Sequence, residues 1–186
     1  RLAGLPLREL PGGECVAGYV PQIMPFARTP KGDPVSVQPW GLWRTSEFVR
    51  EVEDWRDVFR TYVCYQLEAR ALLVDCLSQE QERLVHIVNV NDLKNWSMMS
   101  HLDSTFIAFQ REEMLPLAAT YQNLSSCVFF INTSRWFCIP YGLFYPLLPK
   151  HTQEKISLLG EDFAESPRLL EELGAEAAAA LARPAL

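Results

Sequence analysis

The sequence predicts an α/β fold: a mixed, largely parallel β-sheet covered by helices. Three observations lead there. Short β-branched and apolar segments alternate along the chain with segments of helical period, the order expected of strands and helices that layer on each other. The stretch Val128-Phe129-Phe130-Ile131 is apolar without alternation, as a strand covered on both faces of a parallel sheet requires. Finally, the 186 residues are 48% hydrophobic and 22% charged. A folded chain of this length buries about 70% of the surface it exposes when unfolded, enough for one core and too little for two large domains.

Residues 1–34 are punctuated by Pro6, Pro11-Gly12-Gly13, Pro21, Pro25, Pro30 and Gly32-Asp33-Pro34, too often for a long helix, and read as an extended lead-in. Val35-Ser36-Val37-Gln38 alternates and reads as a short strand; flanking Pro34 and Pro39 place it at a sheet edge. Asp54 to Ser78 is the clearest helix, with Trp55, Val58, Phe59, Tyr62, Val63, Leu67, Ala71, Val74 and Leu77 on a 3.6-residue rhythm and Asp54 and Asp57 at its N-terminus. Val85 to Val90 reads as a strand, followed by an Asn/Asp-rich turn over 89–95. Ser100 to Thr120 is a second helical stretch that Pro116 bends or ends. After the Val128–Ile131 strand come an aromatic segment over 136–148 and a short strand over 156–160. Ser166-Pro167 opens a last helix, interrupted by Gly174 and continued by an Ala-rich tail over 175–182.

Lys and Arg total 17 against 23 Asp and Glu, a net charge of −6, which argues against a nucleic-acid partner. No apolar run approaches the 18 or so residues of a membrane span. The chain starts at Arg1 and is read as a piece of something longer, without a leader peptide. Cys15, Cys64, Cys76, Cys127 and Cys138 are odd in number and scattered, which reads as free thiols in a reducing, cytoplasmic setting. Sequons at Asn95, Asn123 and Asn132 are read as chance occurrences.

The sequence holds no Gly-x-Gly-x-x-Gly, P-loop or Gly-x-Ser-x-Gly. His86, His101 and His151 lie far apart and are read as strand or surface residues rather than metal ligands. A Cys127–His86 nucleophile pair would have to form between two strand positions, where packing is the commoner role. Glu112-Glu113 and Glu171-Glu172 read as solvated helix faces. The unusual feature is the segment Trp136 to Leu148, with five aromatic residues in thirteen positions and no charge after Arg135 until Lys150. Two readings stand for it: a helix buried in the core, or a helix with the sheet on one side and lipid or an apolar ligand on the other.

The order of these motifs resembles the CRAL-TRIO lipid-binding domain. That family carries Tyr-Pro-Glu, an apolar strand ending Asn-Ala-Pro, a Phe, a gate helix, Pro-Phe-Leu, then Lys-Ile and a strand ending in Gly. Here Tyr121-Gln122-Asn123, Val128 to Ile131, Asn132-Thr133-Ser134, Phe137, Pro146-Leu147-Leu148, Lys155-Ile156 and Leu159-Gly160 follow in the same order. Upstream, Gly32-Asp33-Pro34-Val35 resembles the family's Gly-Arg-Pro-Val, Phe59 to Leu73 its long helix, and Ile87 to Leu93 its Val-Asp-Leu-x-Gly strand and turn. The departures are specific. Gln122 and Asn123 replace Pro-Glu, and Thr133-Ser134 replace Ala-Pro. The missing Glu counts against inositol-lipid binding, while Lys155 is retained at a position that belongs to the headgroup site in phosphatidylinositol-binding members.

The resemblance implies a sheet floor and a mobile gate helix around an apolar cavity, over residues 20–163, with 1–19 as lead-in and 164–186 as a C-terminal Ala-rich helix. It implies binding, and transfer between membranes, of one phospholipid or other hydrophobic molecule, with no covalent chemistry and no cofactor. The alternative is a membrane-targeting or protein-docking module whose cavity is filled. The implied ligand contacts are Tyr62, Val88, Val90, Phe129 and Ile131 from the long helix and floor; Phe137, Phe144, Tyr145, Leu147 and Leu148 from the gate; Lys155 near the headgroup; and Ser97 and Ser100 by position. The implied partners are that ligand and a transient membrane surface; a protein partner is left unnamed.

Overall fold

The computed structural model describes residues 7–97, 101, 103–121, 124–148 and 150–183, with the side chains at 118, 119, 140, 143, 144, 147 and 151 left aside. Five strands form one sheet in the order β1-β2-β3-β4-β5: β1 Ile23–Arg28, β2 Pro34–Pro39, β3 Ile87–Asp92, β4 Ser125–Ile131 and β5 Ile156–Leu158. The β1–β2 pair is antiparallel and the other three pairs are parallel, so the expected mixed, largely parallel sheet covered by helices is found.

Register sorts the side chains into two faces, because successive strand residues point to opposite sides. Val35 pairs with Val88 and Val88 with Cys127; Val37 pairs with Val90 and Val90 with Phe129. These residues share one face and pack against Leu169, Leu173, Ala177 and Ala178 of the last helix, α8 (Pro167–Ala182). The other face carries Ser36 and Gln38 of β2, Asn89 and Asn91 of β3, and Val128 and Phe130 of β4.

The long helix α3 (Trp55–Gln81) covers that second face, fixed by Arg70 Nη2 donating to Ser36 Oγ at 2.8 Å. Phe59 and Tyr62 of α3 also enter a helical core with Leu10, Val16, Val20, Phe48, Phe106 and Phe109. There α1 (Gly13–Tyr19), α2 (Thr45–Glu51) and α4 (Ser104–Phe109) meet α3. A single π-turn over Gln110–Met114 joins α4 to α5 (Leu115–Ala119). It allows Pro116, which has no N–H to donate, to sit in a continuing helix.

Several expectations are corrected. The described part of the lead-in, residues 7–34, is not a loose extension: α1 occupies the space between Pro11 and Pro21, and strand β1 follows it. Leu10, Val16 and Val20 are core residues, and the prolines bound a two-turn helix instead of preventing one. The edge strands are β1 and β5, and β2 lies inside the sheet. Pro34 and Pro39 lie at the ends of β2, where a missing N–H costs the ladder least. Strand β3 starts at Ile87 rather than Val85 and runs on through Asn91 and Asp92, residues that read as a turn. Asp54 lies in the left-handed region and its side chain makes no cap; Asp57 instead pairs with Arg60.

Candidate functional site

Two groups of residues meet on the α3 face of the sheet. The first is aromatic. After β4 the chain turns at Asn132, in the left-handed region at φ 56°, and enters α6 (Cys138–Phe144) and a 3-10 turn over Tyr145–Leu147; the short α7 (Lys150–Gln153) precedes β5. Phe137, at the start of α6, is 5% exposed and packs with Leu93 and Phe130. Its ring lies 5.5 Å from Phe130, 5.9 Å from Tyr141 and 5.3 Å from Trp96. Burial pushes the Tyr141 hydroxyl up to about 12. On the outside of the same segment Trp136 is 72% exposed and Ile139 56%.

The second group is polar and lies between α3 and the β2–β3 part of the sheet. Ser36 Oγ accepts from Arg70 Nη2 at 2.8 Å and from Gln22 Nε2 at 3.0 Å. Gln66 donates to Gln22, and its Nε2 lies 3.4 Å from the Tyr62 hydroxyl. Asn89 is bonded to Ser125 Oγ at 2.6 Å. Arg70 is 9% exposed, and among the described residues no ion pair engages it. Desolvation lowers its pKa to about 10; burial also raises that of Tyr62. A cavity of about 140 Å³ opens beside this group, lined by Tyr62 and four glutamines, Gln22 and Gln66 among them, together with Val20, Trp43, Phe59 and Val63. A larger hollow of about 320 Å³, over Trp43, Arg44, Glu47 and His101, is an open groove that carries the exposed Arg44–Glu47 ion pair.

The expected site residues divide accordingly. Tyr62 lines the 140 Å³ cavity, and Phe137 and Tyr145 belong to the aromatic segment, the Tyr145 ring 5.1 Å from that of Tyr141. Leu148 is half-buried at the end of that segment. Phe144 and Leu147 lie within it by backbone, with side chains outside the description. Val88, Val90, Phe129 and Ile131 face α8, on the side of the sheet away from the aromatic segment. On the side of the aromatic segment the sheet instead presents Asn89, Asn91, Val128 and Phe130, one position over. Ser97 is exposed, its backbone N–H 3.1 Å from His101 Nδ1, and Ser100 lies outside the described residues. Lys155 donates from Nζ to the Ser125 carbonyl at 2.9 Å. Gln122 and Asn123, the changed positions of the Tyr121 motif, also lie outside the described residues.

For covalent chemistry the placement is unfavourable where it can be read. Cys127 is buried among apolar groups on the α8 face, and burial pushes its thiol up to about 11, leaving little thiolate at neutral pH. Among the described residues no three His, Cys, Asp or Glu side chains gather as metal ligands, and no helix is long and apolar enough to cross a membrane.

The polar group was not recognised in the sequence, yet its pattern is there. Val35-Ser36-Val37-Gln38 and Val88-Asn89-Val90-Asn91 each give the sheet one polar side, and Gln66 and Arg70 interrupt the buried stripe of α3 at positions four apart.

Comparison with known proteins accords with this architecture. No curated protein matches the chain. Among solved structures, the crystal structure of Sfh5 is similar with a TM-score of 0.57 at 22% identity, over 75% of this chain and 49% of that one. The chain thus spans about half the length of that relative, and the likeness is one of fold. The CRAL/TRIO domain profile matches residues 23–176, from the first strand into α8, and with the sheet order and covering helices just described it shows that the chain belongs to the CRAL/TRIO domain family.

Proposed function

We propose that the domain holds one lipid or other hydrophobic molecule between the α3 face of the sheet and the segment Phe137–Leu148, and exchanges it at a membrane surface. Family membership supports, in general terms, the binding of a lipid or small hydrophobic ligand. The observation that carries the finer reading is the two-sided apolar character of the aromatic segment. Phe137 and Tyr141 face inward onto Phe130, while Trp136 and Ile139 face outward into solvent. A helix packed only as core would have no use for an exposed Trp and Ile. A lid that opens against a bilayer uses both sides, with Trp at the interface. Each buried acyl CH₂ contributes about 0.8 kcal/mol, so a ten-carbon stretch gains about 8 kcal/mol before ordering costs. Phe137, Phe144, Tyr145, Leu147 and Leu148 then form the gate, with Tyr62 behind it.

The test is lipid transfer between liposomes by the Trp136→Ser, Ile139→Ser double variant. Both side chains are exposed, so the melting temperature should stay near wild type while liposome binding and transfer fall several-fold. Transfer at the wild-type rate would remove the lid assignment. The filled, docking-module reading has one observation in its favour: the Phe130, Phe137 and Tyr141 rings interlock at 5.5–6.0 Å. It calls for no transfer by the wild-type protein.

A further inference from the structure

Arg70 is an expensive residue at its position. A guanidinium taken out of water without a counter-charge is strongly unfavourable, and here desolvation is the leading influence on it. Its Nη2 reaches only a neutral hydroxyl, and its Nε–H is buried without a partner. Neighbouring groups share this surplus of donors. Ser36 Oγ accepts from both Arg70 and Gln22, which fills its two acceptor sites and leaves its own proton to donate. Asn89 is the strand neighbour of Ser36 on the same face, and its Oδ1 is also buried without a partner. The two ends of an amide are interchangeable in assignment. Turned over, Asn89 accepts from the Ser125 hydroxyl and presents its NH₂ as a buried donor without a partner. Three donors, one of them charged, then lie on the α3 face of neighbouring strands β2 and β3, and two of them, Arg70 Nε and the Asn89 amide, have no partner among the described residues.

We propose that Arg70, Ser36 and Asn89 form an anion subsite for the carboxylate of a hydrophobic monocarboxylic acid, whose apolar body extends into the cavity beside Tyr62 and Gln66. The planar fork of Arg70 suits a carboxylate, which takes Nε–H with one oxygen and leaves lone pairs for the Ser36 and Asn89 donors. A phosphate monoester, close to two charges at neutral pH, would call for a second cation, and the cavity of about 140 Å³ has none among its lining residues. Val20, Trp43, Phe59 and Val63 give its walls an apolar part alongside the glutamines, against which the remainder of such an acid packs. The subsite specifies the polar head of a hydrophobic guest on the α3 face and rests on the reading that the domain holds one; its apolar body then lies against α3 rather than under Phe137–Leu148, none of whose residues line the cavity.

Calorimetric titration of the whole chain with decanoate, 1-decanol and decyl phosphate separates the possibilities. Decanoate should bind tighter than decanol by roughly ten- to hundredfold, the range of a charge-assisted hydrogen-bond pair. In Arg70→Met that ratio should fall toward one, and Ser36→Ala should lower it in part. Thermal melts of each variant check that it folds, and the wild-type ratio with Ser36→Ala decides the matter if Arg70→Met does not. Equal affinity of wild type for decanoate and decanol overturns the subsite while leaving the hydrophobic-guest reading in place. Tighter binding of decyl phosphate than of decanoate overturns the carboxylate assignment. No binding of any of the three overturns both.

Discussion

Arg70 and Cys127 lie on opposite faces of one sheet, and burial acts on each in a way that can be measured. For Arg70 the buried charge opposes folding, so replacing it with an apolar side chain of similar length should help the empty protein. Arg70→Met is expected to stabilise the ligand-free chain by about 1–4 kcal/mol in urea unfolding, although it removes a hydrogen bond to Ser36; a loss of stability would mean that the charge is compensated in the empty fold. The pH dependence has a definite sign. Desolvation lowers the Arg70 pKa to about 10, below that of an ordinary guanidinium, so above about pH 10 the unfolded chain binds more protons. Stability from this group therefore rises with pH above about 10 and is flat below it, and the advantage of Arg70→Met should shrink only at the alkaline end. For Cys127, a thiol pushed up to about 11 should alkylate at least about a hundredfold more slowly than an ordinary exposed thiol near neutral pH. Cys15, Cys76 and Cys138 are exposed and should react first. Peptide mass spectrometry after a timed iodoacetamide pulse reads the order directly, and early labelling of Cys127 would show that the α8 face opens readily.

Among the elements, the aromatic segment and α8 are the two whose sequences explain most. Phe137→Ala empties a site ringed by Trp96, Phe130 and Tyr141 and should cost about 3 kcal/mol. Trp136→Ser, one residue away and exposed, should cost less than about 0.5 kcal/mol. Equal costs in chemical denaturation would mean that the segment does not present one side to the sheet and the other to water. In α8 the break is set by Gly174 at φ 78°, ψ 159°, a conformation essentially reserved for glycine, where a side chain costs about 1–3 kcal/mol. An added Cβ would also stand 3.0 Å from Pro30 Cγ, so Gly174→Ala should lower the melting temperature. The elements most legible in the sequence are those with a long, regular period. The 27 residues of α3 and the continuous apolar β4 follow from hydrophobic spacing alone. Short elements between prolines were not legible: α1 has seven residues, fewer than two full heptads of pattern, and β1 carries Pro25 within it.

For the whole molecule, a sheet with helices on both sides follows from the alternation of segment types, but which residue faces which layer does not. Val88 and Val90 were natural choices for a greasy floor, because apolar side chains are expected toward a ligand of the same kind. Their register with Val35, Val37, Cys127 and Phe129 sends them to α8, and the α3 face receives serine, glutamine and asparagine over β2 and β3. The polar side of β2 and β3 reads from the sequence as a solvated face, and only tertiary packing of α3 shows that it is covered. The α3 face thus has an aromatic part over β4 and a donor-rich part over β2, and on the proposed reading these suit the two ends of an amphipathic molecule. Native mass spectrometry of the freshly purified chain tests this most directly. The expected spectrum contains a population heavier than the polypeptide by one small hydrophobic molecule, which organic extraction removes and incubation with a lipid extract restores. A spectrum of bare polypeptide alone, before and after that incubation, would contradict the existence of a guest site between the sheet and the aromatic segment.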